Sequence, residues 1–99
     1  MSARIAIDRV RLAAFCRRHH IVKLALFGSV LREDFRPDSD VDVLVWFAPS
    51  ARVTLFDMVG MEEELSEILG RRVDFRTPED LSRYFRDQVV AQAEVQYPA

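Results

Sequence analysis

Asp40 and Asp42 stand two apart at the start of an apolar run, Val41 to Phe47. On a strand, side chains at i and i+2 leave by the same face. Both carboxylates therefore project together from the strand's beginning. Two carboxylates at that spacing repel, and neither ionises easily without a cation. A hard divalent ion such as Mg²⁺ resolves the conflict, because it takes oxygen ligands and favours one or two carboxylates plus phosphate oxygens. A third acid, Asp74, lies between Val73 and Phe75 in a short apolar segment. If that segment is a strand beside the Asp42 strand, the three carboxylates converge. Two ions held there would clamp the attacking and leaving oxygens of an in-line phosphoryl or nucleotidyl transfer. Taken singly, a D-x-D is more often a turn cap or a solvated strand end, and Asp74 alone reads as an edge residue.

Upstream, Gly28-Ser29 ends another apolar stretch, Val22 to Phe27, with ten residues between Ser29 and Asp40. Glycine after a strand allows a sharp turn and close approach by a phosphate, and the backbone N–H groups of the next turn then point at the anion. The Ser29 hydroxyl can donate a further hydrogen bond. Arg32, one turn on, either adds charge to the same phosphates or pairs with Asp34 or Asp38. Strand, Gly-Ser turn, D-x-D strand and a following acid-bearing strand form a combination that its members do not form alone.

The elements that must position these groups can be read from pattern. Residues 8–19 read as a helix with Asp8 as N-cap. Val22 to Phe27 and Val41 to Phe47 read as buried strands, the second rich in β-branched and aromatic residues. Ser29 to Glu33 fits one helical turn, and Arg36-Pro37-Asp38-Ser39 is turn chemistry. Residues 53–69 form an amphipathic helix whose inward face is apolar except for Glu62, and Gly70 suits a left-handed C-cap. Arg71 to Arg76 reads as a short strand. Thr77-Pro78-Glu79-Asp80 is a helix-start signal, predicting a last helix that runs to about Val95. The fold class is α/β or α+β: a small mixed sheet of about three to four strands flanked by helices.

Ninety-nine residues make one domain, 1–99, with room for a single core. A formal charge of −2 gives no electrostatic case for direct nucleic-acid binding. Lys23 is the one lysine among 14 basic residues, and the arginines suit planar anions or simply reflect base composition. Cys16 cannot form an internal disulfide and reads as a small core residue. No apolar run approaches a membrane span, and MSARIAIDRV lacks a signal-peptide core, so the expected location is cytoplasmic. His19-His20, at a helix end, read as a polar cap.

The Gly-Ser and D-x-D pattern resembles the nucleotidyltransferase superfamily that includes DNA polymerase β. LFGS, RPDSDVDVLV and LFDMVGMEEELSEILGRRVDFRTPEDL resemble, along nearly the whole chain, its smallest members, the minimal nucleotidyltransferase (MNT) domains. One departure is the turn itself: Val30, Leu31, Arg32 and Glu33 follow the Gly-Ser where many relatives carry arginine, alanine and glycine. The resemblance implies that Gly28 and Ser29 hold a nucleoside triphosphate, with Arg32 beside them. It implies that Asp40 and Asp42 ligate Mg²⁺, two ions in all, and that Asp74 completes the metal site and helps deprotonate the attacking hydroxyl. It further implies the antitoxin of a type VII-like pair, whose partner is a HEPN-domain RNase toxin silenced by transfer of AMP from ATP to a tyrosine. The alternative is an antitoxin that masks its partner by binding alone, through Trp46, Phe47, Phe56 or Tyr84, aromatics that otherwise read as core. A small-molecule nucleotidyltransferase would need a further domain for its acceptor.

Overall fold

The computed structural model describes residues 5–32, 36 and 38–98. Glu33, Asp34 and Pro37, which enter the turn and Arg32 readings above, lie outside the described residues. Helix α1 spans Arg9–Arg18 and starts where expected: Asp8 Oδ1 accepts from the N–H groups of Val10 and Arg11. His19 is its C-cap, and its Nε2 meets Glu64 Oε1 at 2.9 Å. Strand β1, Ile21–Phe27, leads into a 3₁₀ turn, Gly28–Leu31, pinned to the core by fully buried Val30. Strand β2 is Val41–Phe47. Helix α2, Leu55–Leu69, opens with a reciprocal capping box between Thr54 and Asp57 and closes on Gly70 at φ 68°. Strand β3 is Val73–Arg76.

The sheet order is β3-β2-β1-β4. Strands β1 and β2 run antiparallel, while β2 and β3, joined through α2, run parallel. The end where β1 leaves the sheet is therefore the end where β2 and β3 enter it. Alternation divides the side chains. Val41, Val43, Val45, Val73 and Phe75 join Leu24 and Leu26 in one core with Leu12, Phe15 and Cys16 of α1 and Met61 and Leu65 of α2. Asp42, Leu44 and Asp74 take the other face. Cys16 is core, as expected, and burial pushes its thiol pKa up to about 12.

Two side chains of α2 close the outer edge of β3. Glu62 Oε2 accepts from the Phe75 N–H at 3.1 Å, and Ser66 Oγ accepts from the Val73 N–H at 3.2 Å. Glu62, the polar exception on the inward face of α2, is thus a partner for strand backbone.

The last helix departs from expectation. Thr77 and Asp80 do form a capping box, yet it starts only a 3₁₀ turn, Pro78–Asp80. The Arg86 side chain takes the carbonyls that a continuing helix would use: Nε donates to Pro78 O at 2.7 Å and Nη2 to Leu81 O at 2.9 Å. Helix α3 begins only at Arg86 and ends at Gln92. Residues 94–97 are strand β4, paired antiparallel with β1, and not helix. The open edge of β1 outweighs the local helical pattern there, because unpaired strand N–H and C=O groups gain a full ladder. Among the described residues, no helix is long and apolar enough to cross a membrane.

Candidate active site

The register of the sheet brings the sequence candidates to one end. Phe27 of β1 pairs with Asp42 of β2, and Asp42 in turn pairs with Asp74 of β3. Gly28, next after Phe27, has φ +74°, and a Cβ built on it would overlap Asp42 Oδ2 and sit 3.2 Å from its Cγ. Only glycine lets the turn rest against that carboxylate. Ser29 follows on the turn, and its carbonyl accepts from the Arg32 N–H at 2.9 Å.

Asp42 is half-buried and its pKa is raised. Burial is the largest cause, followed by the charge of Asp74; Asp40 raises it further, and Arg76 and Arg32 pull it down. Two like charges flank one partly desolvated carboxylate, which is the electrostatic situation that a cation relieves. The donor set is oxygen throughout and so fits a hard divalent ion in kind.

Asp42 and Asp74 share a face of the sheet and Asp40 precedes β2 at the same end, but the three carboxylates do not close on one point. Among the described residues, no group of three acidic, histidine or cysteine side chains is placed to hold an ion. The reason is visible in the outer two. Asp40 Oδ1 lies 3.3 Å from Arg72 Nε, and Asp74 Oδ1 accepts from Arg76 Nε at 3.2 Å. The expected convergence therefore holds for strand positions and not for carboxylate oxygens. Arg72 and Arg76 are the residues that spacing left out, although Arg76 obeys the same period-two rule as Asp74.

Arg32 is the C-cap residue of the 3₁₀ turn. With Phe27, Gly28, Leu31 and, across from them, Val89, Ala93 and Glu94, it lines a cleft of about 570 Å³. Of the aromatics offered as a masking surface, Trp46 and Phe47 are partly buried, with Lys23 Nζ 4.5 Å from the Trp46 ring. Phe56 and Tyr84 are 91% and 85% exposed.

A split parallel–antiparallel sheet with a Gly-Ser turn seated on a D-x-D carboxylate is the core of a nucleotidyl-transfer fold. The profile of the nucleotidyltransferase domain family matches residues 10–97, and the chain belongs to that family; its enzyme class is nucleotidyltransferase. A Methanocaldococcus jannaschii protein, by name a candidate protein adenylyltransferase, is 32% identical over 76 residues, covering 77% of this chain and 80% of the relative. A solved structure of a candidate minimal nucleotidyltransferase is 38% identical with a TM-score of 0.70, covering 86% of this chain and 85% of that one. The complex of a tri-AMPylated Shewanella oneidensis HEPN toxin with its MNT antitoxin is 19% identical, with a TM-score of 0.64 over 92% of this chain and 70% of that one, a likeness of fold.

Proposed function

We propose that this domain transfers AMP from ATP to a tyrosine hydroxyl of a HEPN-type toxin, the hydroxyl oxygen attacking the α-phosphorus as pyrophosphate leaves, and so acts as its antitoxin. The observation that carries the reading is the seat of Gly28 on Asp42, with Asp74 in register beside it and Asp40 two residues upstream. The Gly28-Ser29 turn receives the triphosphate, and Arg32 steadies its charge from the cleft side. Asp40, Asp42 and Asp74 would hold divalent ions, which on binding supply charge stabilisation at the phosphorus under attack. Asp74 would accept a proton from the incoming hydroxyl. Family membership and the adenylyltransferase name of the M. jannaschii relative support AMP as the transferred group. The toxin–antitoxin neighbour supports a protein acceptor.

The test is to mix the purified domain with the product of its neighbouring gene, Mg²⁺ and ATP, and weigh the products. Each transfer adds one AMP to the neighbour, and the D40N/D42N variant adds none. A double variant that still neutralises the partner in full, with no transfer by the wild type, removes the enzymatic reading. The exposure of Phe56 and Tyr84 favours a second reading for that outcome: neutralisation by direct binding and masking.

A further inference from the structure

Asp74 and Arg76 alternate with the core residues Val73 and Phe75, so they share the face that carries Asp42, while Arg72 and Asp40 stand just before β3 and β2. The parallel register sets Asp74 beside Asp42 and Arg76 beside Leu44. Each outer carboxylate then has its own guanidinium. Arg72 Nε lies 3.3 Å from Asp40 Oδ1. Arg76 Nε donates to both oxygens of Asp74, at 3.2 and 3.3 Å. The middle carboxylate, Asp42, has the Gly28 turn against it instead.

A guanidinium does not lose its proton at any working pH. If Asp74 turns to another cation, Arg76 keeps its charge and its donors become available to another anion. In a nucleotidyl transfer the new anion at this site is a polyphosphate, whose oxygens suit the planar fork of arginine. Arg76 also acts on Asp42 across the strands, so its charge already reaches the middle of the site.

We propose that Arg76, with the more exposed Arg72 as a weaker second, is an exchangeable counter-cation that holds Asp74 before a divalent ion does and then passes to the triphosphate. The proposal rests on the nucleotidyl-transfer reading and adds a positioning residue to it. Its consequence is coupling. An ion arriving alone has to compete with Arg76 for Asp74. A nucleotide arriving alone meets an arginine already engaged by Asp74. Arriving together, each frees the group that the other needs, and such coupling is reciprocal.

The experiment uses the whole domain as wild type, R76Q and R76K. Free Mn²⁺ is followed by electron paramagnetic resonance, and binding of α,β-methylene-ATP with Mn²⁺ by calorimetry. For a half-exposed ion pair the expected effects are modest. R76Q binds Mn²⁺ alone about threefold to fivefold tighter and binds the nucleotide with Mn²⁺ about threefold to fivefold weaker. R76K, which keeps the charge, restores most of the nucleotide affinity. R72Q moves both affinities in the same senses as R76Q, by less. The opposite signs are the signature, since damage to the fold would weaken both. If R76Q shifts both affinities in one direction, or neither, the proposal is overturned. If the wild type binds neither Mn²⁺ nor nucleotide, the nucleotidyl-transfer reading fails on its own account.

Discussion

The Asp42 carboxylate fills the space that a Cβ on Gly28 would need. The turn and the middle carboxylate are therefore packed against each other, and a side chain at position 28 has to displace the carboxylate. Gly28→Ala faces that overlap and a left-handed backbone at φ +74°, the latter alone costing about 1–2 kcal/mol. We expect the Tm to fall by about 5–10 °C or more for a domain of this size. In an Asp42→Ala background the overlap is gone, so the same glycine change should cost only its backbone share. Thermal unfolding of the four proteins in the cycle decides this. Equal costs in both backgrounds would show that the two residues do not compete for space.

Asp42→Asn should separate stability from function. The folded-state pKa of Asp42 is raised, by burial first and then by Asp74. A carboxyl raised in the folded state costs stability as pH climbs from its unfolded value through its folded one, and the cost persists above that. The neutral asparagine escapes it. We expect D42N to melt above wild type near neutral pH, to lose that advantage as the pH is lowered, and to transfer no AMP. Melting curves across the acid range check the sign; a D42N protein less stable than wild type at neutral pH contradicts it.

Acid should act in the opposite sense on Asp57. The Thr54 backbone N–H and hydroxyl hold its carboxyl below the ordinary 3.8. Its contribution is present above the unfolded value and is lost as pH falls through the folded one. D57N should therefore flatten the stability profile below about pH 4, where wild type is still losing stability. Circular dichroism at 222 nm against pH measures this directly.

Glu62→Ala leaves the Phe75 N–H without its carboxylate partner. An orphaned donor of this kind costs about 1–3 kcal/mol. Glu62→Gln keeps an acceptor oxygen and should recover most of the loss. Hydrogen exchange at Phe75 reports the effect locally: it should quicken in the alanine variant and stay near wild type in the glutamine one. No change at Phe75 would mean that the bond is not formed in solution.

Much of this arrangement is legible from local chemistry. Asp8 as N-cap and Gly70 as a left-handed C-cap are decided by neighbours within a turn, and both hold. The side-by-side aspartates follow from the period of a strand. What escapes is decided at a distance. Thr77-Pro78 is a sound helix start, but Arg86 reaches back to claim the carbonyls of Pro78 and Leu81. Residues 94–97 become a strand because β1 has an edge to fill, which no window around Val95 contains. Arg76 is two residues from Asp74, so spacing places it on the right face. Its alignment beside Leu44, with Asp74 beside Asp42, depends on the pairing of β2 with β3, and that appears only once the sheet is assembled.

The bonds from Glu62 and Ser66 to β3 also set how this sheet can grow. With the N–H groups of Phe75 and Val73 already taken by α2, the β3 side offers an incoming chain few backbone donors. Strand addition, whether by a partner's extended segment or by a misfolded copy, is therefore directed away from the carboxylates and toward the short β4 margin. A protein approaching the carboxylate end from the β3 side is met by side chains and not by a sheet waiting to be extended.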